Sequence, residues 1–174
     1  MPLSLHAAFV PSALQMLGAT RKLVDKAESW CGEQGCGQDA LVGARLTDDM
    51  LAFDYQVKSV AVHTQGAIEG VRAGVFSPDM SVPPATFEAM RTKLDEAISA
   101  LESVSEDEME SWIGRPMRFV MRERALDFTA EEFLLSFSQP NFYFHAATAY
   151  DILRMKGLPL AKRDFMGKLR IKRD

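Results

Sequence analysis

This sequence has few cysteines and no excess of positive charge. Its two cysteines, Cys31 and Cys36, are too few for a disulfide framework, and their spacing matches neither a redox C-x-x-C motif nor a zinc ribbon. This pattern favours a reducing compartment. The formal net charge of the 174-residue chain is -4, so no overall positive field is available to hold a polyanion, and we expect no nucleic acid partner.

The chain also lacks the features of secreted and membrane proteins. Its N-terminus has no basic leader followed by an apolar core, which predicts a cytoplasmic protein. The longest uncharged stretch runs from Phe133 to Tyr150, but it contains serine, glutamine, proline, asparagine and histidine. We interpret it as a buried segment, and expect no membrane partner.

Apolar residues recur at helical spacing in four segments, which predicts an all-α chain built as a four-helix bundle. Hydrophobic residues make up 47% of the sequence and repeat every three or four positions, the pattern of one buried helix face. The bundle is expected to occupy residues 1–157. Its helices are predicted from Ser4 to about Trp30, from an N-cap at Thr47 to about Val71, from Thr86 to about Val104, and from Thr129 to Gly157 with a bend at Pro140.

Between the third and fourth helices the pattern changes to an alternation. Met117, Phe119 and Met121 occupy every second position, which predicts a short β-hairpin before helix four that turns near Arg122–Glu123. After Gly157 the basic residues outnumber the acidic ones. We therefore expect residues 158–174 to form a basic tail that packs partly on the bundle.

Only three histidines occur in the chain, and two of them fall on inner faces of predicted helices. His145 lies within the apolar stripe of helix four, and His63 lies at the edge of the stripe of helix two, beside Gln56. Two imidazoles that lean inward from different helices can meet. A divalent metal usually needs three or four ligands, so two readings stay open: a metal site completed by a carboxylate, tyrosine or water, or imidazoles that hydrogen-bond core groups.

A family resemblance covers the whole chain and is most specific near the C-terminus. It rests on PNFYFHAATAYDILR at 140–154, GLPLAKRDF at 157–165, LTDDM at 46–50 and LDFTAEEFL at 126–134. These residues resemble a bacterial family of unknown function within the DinB/YfiT-like metalloenzyme superfamily. The resemblance implies a DinB-like four-helix bundle, which is often a dimer.

The same resemblance implies a metal site made by one histidine of helix two and an H-x-x-x-H pair of helix four. Some members of the superfamily are thiol-dependent transferases or isomerases. By position His63 and His145 match two of the ligands, and the third falls at Ala149, whose methyl group cannot bind a metal. The resemblance therefore implies a degenerate metal site in this chain.

Two functional hypotheses follow. The first is a non-catalytic homodimer that binds a small ligand or another protein and needs no cofactor. The second is a metal-dependent enzyme, a thiol-dependent transferase or hydrolase-like protein, in which His63 and His145 hold zinc or nickel. The pocket candidates that accompany the two histidines are Gln56, Tyr143, Thr148, Tyr150, Lys162 and Arg163.

Overall fold

The structure is a computed structural model that describes residues 3–172. Of the predicted tail, Arg173 and Asp174 lie outside the described residues. Two turns of π-helix, here named π1 and π2, interrupt the α-helices. The elements in chain order are α1 (Leu5–Gln34), α2 (Asp39–Val42), α3 (Phe53–Ala61), π1 (Val62–Gly66), α4 (Ala67–Ala73), β1 (Val75–Phe76), α5 (Phe87–Glu102), α6 (Glu106–Glu110), β2 (Pro116–Met121), β3 (Arg124–Thr129), α7 (Ala130–Glu132), π2 (Phe133–Ser138), α8 (Gln139–Met155) and α9 (Lys162–Met166).

The prediction of an all-α chain is wrong, because three strands form a mixed sheet. β2 and β3 pair antiparallel around a turn at Arg122–Glu123, and β1 pairs with β2 in parallel. In that parallel pair, Phe76 lies opposite Phe119. The sequence could not reveal β1, since a strand of two residues is too short to show alternation and takes its partner from a distant part of the chain.

The predicted N-cap at Thr47 is also wrong. The Thr47 hydroxyl donates to the carboxylate of Asp49, and its carbonyl accepts the N–H of Met50 at 3.1 Å, which closes a separate turn. α3 begins only at Phe53, whose N–H donates to the carbonyl of Ala44 at 2.8 Å. A threonine whose side chain is used by its own turn cannot cap the helix that follows.

The long helices share one hydrophobic core. α1 packs against α5 and α8, and α3 also packs against α8 and α5. The rings of Phe9 and Phe142 meet edge-on at 5.8 Å where α1 crosses α8. Among residues 3–172, no helix is both long and apolar enough to cross a membrane.

The segment after α8 turns back and lies against α1, where it forms α9. Gln15 donates from Nε2 to the carbonyl of Met166 at 2.7 Å, and Lys26 pairs with Asp164 at 2.6 Å. A Cβ on Gly167 would lie 3.0 Å from the Cβ of Ala19, so the chain runs directly against α1 at that point. Polar contacts and one close backbone approach therefore hold α9 in place.

The strand β1 lies directly against π1 and α4. A Cβ on Gly70 would lie 3.0 Å from the Cβ of Phe76 and 3.3 Å from the carbonyl oxygen of Val75. At Gly66, by contrast, the nearest atoms would be at 3.8 Å, an ordinary contact. The absence of a side chain at Gly70 therefore allows Phe76 to reach the helices.

We predict that Gly70→Ala destabilises the protein and that the matched variant Gly66→Ala does not. The new methyl group at position 70 overlaps β1, and overpacking of this kind costs about 1–3 kcal/mol. At position 66 alanine fits and favours the helix by up to about 1 kcal/mol. Urea denaturation of both variants measures the difference. Equal free energies of unfolding for Gly70→Ala and Gly66→Ala would show that β1 does not pack closely against α4 at Gly70.

Candidate functional site

Two π-helical turns meet at the candidate site. π1 carries His63 and π2 carries Phe137, and the centroids of these two rings lie 5.8 Å apart. A π-turn is a rare insertion into an α-helix that occurs frequently at functional sites. Both of the long predicted helices that bear the site are therefore interrupted where their side chains meet.

His63 and His145 stack on each other at this point. Their ring centroids are 5.7 Å apart and their planes differ by 14°. Burial lowers the pKa of His63 to about 3, with the neighbouring His145 as a second cause, and burial lowers the pKa of His145 to about 4. A buried imidazolium loses its hydration, so both rings are neutral at physiological pH.

Gln56 determines which nitrogen of His145 carries the proton. This side chain is buried, with 2% exposed, and its Nε2 donates to the carbonyl of Leu51 at 2.8 Å. Its Oε1 therefore faces Nδ1 of His145, at 2.7 Å. Because an amide oxygen can only accept, the proton lies on Nδ1. The Nε2 of His145 is left with a lone pair that can accept a hydrogen bond or a proton.

His63 has a different environment. Its Nδ1 is buried and makes no hydrogen bond to any residue in the range 3–172. Because buried N–H groups without a partner are rare, we assign the proton of His63 to Nε2. The stacked pair thus offers one donor, Nε2–H of His63, and one acceptor, Nε2 of His145.

Aromatic rings surround the pair on several sides. They come from four different elements and account for the low hydration of both imidazoles. The centroid distances are 5.6 Å from His63 to Phe76, 5.8 Å from His63 to Phe137, 6.2 Å from His145 to Tyr55 and 5.4 Å from His145 to Phe144.

Of the predicted pocket residues, Gln56 contacts His145. The others have different surroundings. The ring of Tyr143 packs on Phe142 at 4.6 Å, and that of Tyr150 packs on Phe165 of α9 at 6.3 Å. The remaining candidates are Thr148, which is buried in α8, and Lys162 and Arg163, which are exposed on α9.

The residues present do not fit the metal site that the resemblance implies. Ala149 occupies the third position and is fully buried. Within residues 3–172, no group of three or more histidine, cysteine, aspartate or glutamate side chains is placed to hold a metal ion. His6 is engaged elsewhere, with its Nε2 at 3.2 Å from the carbonyl of Val104. His63 and His145 alone fall short of the usual three or four ligands.

Sequence reasoning missed the rings that β1, π2 and α3 place around the pair, and one buried lysine. Lys58 is only 1% exposed, and its Nζ donates to the carbonyls of Asp79 at 2.8 Å and Ser81 at 2.6 Å. It also pairs with the Asp79 carboxylate at 3.3 Å, which ties down the segment that follows Phe76. No local pattern predicts these polar contacts, because the oxygen atoms that Lys58 binds all come from that remote segment.

The fold and the family agree with the resemblance seen in the sequence. A crystal structure of a DinB family member protein from Shewanella denitrificans superposes with a TM-score of 0.81 at 24% identity, over 98% of this chain and 96% of that one. The fold is therefore DinB-like. Residues 5–166 match the family of a domain of unknown function, DUF1993. The chain belongs to this family, which is a DinB-like family of unknown function. No curated protein matches the sequence of this chain.

The two histidines predict a characteristic loss of stability in mild acid. In the unfolded chain they bind protons near the ordinary histidine pKa of 6.5, whereas in the folded protein they do so only near pKa 4 and 3. Stability is therefore full above that unfolded value and falls as the pH decreases. Each histidine should cost about 2 kcal/mol between about pH 7 and about pH 5.

Urea denaturation at these two pH values measures this effect. In His63→Phe, which places one more ring among Phe76 and Phe137, roughly half of the pH dependence should disappear. An unchanged pH dependence in this variant would contradict a neutral, buried His63.

Proposed function

We propose that this protein binds a small uncharged ligand at the His63–His145 pair and does not catalyse a reaction. The observation that carries the proposal is the stacked pair of neutral imidazoles with one donor and one acceptor. Gln56 holds the acceptor in position before any ligand arrives. A preorganised site loses little conformational freedom when it binds, which favours affinity.

The hydrogen-bonding capacity of the pair selects the chemical class of the ligand. An alcohol or a primary amide both donates and accepts, so it can satisfy His145 and His63 together. A carboxylate only accepts and an ammonium only donates, so each would leave one imidazole nitrogen unmatched. A charged group would also lose hydration among the aromatic rings. We infer that the ligand carries a hydroxyl or amide group.

The rings around the pair support a ligand with an apolar or aromatic portion. Phe144 is 56% exposed and borders His145, so one wall of the site is open to solvent. Tyr55 is half-buried on another side of His145. Such rings provide apolar contact area next to a few polar groups, the usual composition of small-molecule sites.

Four probes of similar size test this proposal. We predict that benzamide and benzyl alcohol bind about tenfold more tightly than benzoate and benzylamine, since one unmatched hydrogen bond costs roughly 1.4 kcal/mol. Calorimetry gives the affinities, and nitrogen NMR of the imidazoles shows whether the resonances of His63 and His145 respond.

The variants for this test separate the site from the rest of the protein. His145→Phe removes the acceptor and should abolish the preference for uncharged probes. His6 lies outside the pair, beside the carbonyl of Val104. His6→Gln should therefore leave the preference for uncharged probes intact. Benzoate binding as tightly as benzamide, or a preference that survives His145→Phe, would contradict the proposal.

The alternative function is a metal-dependent enzyme that uses zinc or nickel. The lone pair on Nε2 of His145 favours this alternative, because a metal ligand must be unprotonated at the binding nitrogen.

Under the non-catalytic proposal, we predict that protein purified without an affinity tag contains far less than one zinc or nickel per chain. Elemental analysis measures this. Stoichiometric metal that is lost in His145→Ala would instead support the enzyme.

A gain-of-function variant provides the control for the metal analysis. Ala149→His adds a third imidazole one helical turn after His145 and should raise the affinity for added zinc. The double variant His63→Phe/Ala149→His should lose that gain. If the wild-type protein already binds zinc as tightly as Ala149→His, the third ligand is supplied by another group and the non-catalytic proposal is wrong.

We propose a cytoplasmic homodimer in which residues 1–157 form the domain and the basic tail, 158–174, docks through α9. The exposed apolar side chains of Phe144 and Met155 on α8 support self-association.

A further inference from the structure

The C-terminal end of α1 places the two cysteines of the chain in a helix-ending motif. Gly35 follows the helix with a left-handed backbone, at φ 65° and ψ 26°. The N–H of Cys36, the next residue, donates to the carbonyl of Cys31 at 3.0 Å. A left-handed residue followed by this backward hydrogen bond defines a Schellman motif.

The Schellman motif brings together the side chains at these two positions. In most proteins the pair is apolar and forms a small contact that covers the end of the helix. Here the pair consists of Cys31, which is 5% exposed, and Cys36, which is half-buried against the core. Burial raises the pKa of Cys31 to about 11, helped by a hydrogen bond that its protonated thiol donates to the sulfur of Cys36, and both cysteines are free.

We propose that Cys31 and Cys36 form an intramolecular disulfide when the protein meets hydrogen peroxide, and that this bond locks the C-terminal end of α1. The spacing of the two cysteines is not that of a redox C-x-x-C motif, but it is the spacing of the two side chains that meet in a Schellman motif. The surroundings leave room for the adjustment that bond formation needs. A Cβ at Gly32, Gly35 or Gly37 would find no atom within 4 Å.

The reaction proceeds in two balanced steps. The thiolate of Cys36, the more exposed cysteine, attacks one peroxide oxygen, the O–O bond breaks, and the hydroxide that leaves takes up a proton to become water. Cys31, as its thiolate, then attacks the sulfur of the resulting sulfenic acid. The S–S bond forms, and the second hydroxide leaves as water with the proton from Cys31. Two thiols are oxidised and one peroxide is reduced to two waters.

Treatment of the full chain with hydrogen peroxide tests the proposal. The protein is then denatured, its free thiols are alkylated, and its mass is measured. Since the chain contains only two cysteines, a monomer that has lost two hydrogen atoms and accepts no alkyl group can only contain the Cys31–Cys36 bond. Two alkylatable thiols, oxygen added at Cys36 without a disulfide, or dimers on a non-reducing gel would each overturn the proposal.

A pair of glycine variants tests whether the helix-ending motif is responsible. Gly35→Ala keeps both thiols but disfavours the left-handed backbone, so in glutathione buffers it should lower the equilibrium constant for disulfide formation about 5- to 30-fold. Gly37→Ala is the matched control, since Gly37 has no left-handed backbone and equal space. It should change the constant less than about twofold.

A third variant and a spectrum cover the case in which Gly35→Ala disturbs the fold. Asparagine tolerates the left-handed backbone better than alanine, so Gly35→Asn should give an intermediate constant. Circular dichroism confirms that each variant keeps its helices. Equal constants for Gly35→Ala, Gly35→Asn and Gly37→Ala would show that the motif does not bring the thiols together.

Discussion

The packing of the Phe76 ring connects β1 to the helices that carry the histidine pair. The Phe76 ring, which belongs to the two-residue strand β1, lies 5.2 Å from the ring of Phe133 and 5.6 Å from the ring of His63. It therefore contacts side chains of both π-helical turns. It can do so only because Gly70 leaves space on α4. The position of His63 therefore depends on Gly70 in α4 and on the strand β1, which no local sequence pattern predicts.

Loss of water from this region decides what the histidines can do. The pKa of His145 falls to about 4 because the ring is buried, and the pKa of His63 falls further because a second imidazole lies beside it. A pair with these properties does not attract anions by charge. The pair can offer hydrogen bonds, which are stronger where water is excluded.

The sequence predicted those features that depend on local pattern. The helical spacing of apolar residues located the long helices, and α5 begins directly after Thr86, where the third helix was predicted to start. The Thr86 hydroxyl caps it, with the N–H of Ala89 at 3.1 Å. Features that depend on distant partners were not predictable: β1 obtains its hydrogen bonds from β2, and the π-turns have no compositional signature. For the site, the inward placement of His63 and His145 followed from the helical wheel, but the role of Gln56 required the carbonyl of Leu51.

Gln56 fixes the orientation of His145 without any contribution from position 149. A histidine that ligates a metal normally donates its other N–H to a fixed acceptor, which orients the ring, and Gln56 makes that contact with His145. Ala149 is buried one helical turn away and does not alter this contact. The ring therefore keeps a fixed orientation and a free lone pair, while nothing nearby completes a metal site within the described residues. His145 therefore presents a hydrogen-bond acceptor of fixed orientation in an aromatic setting.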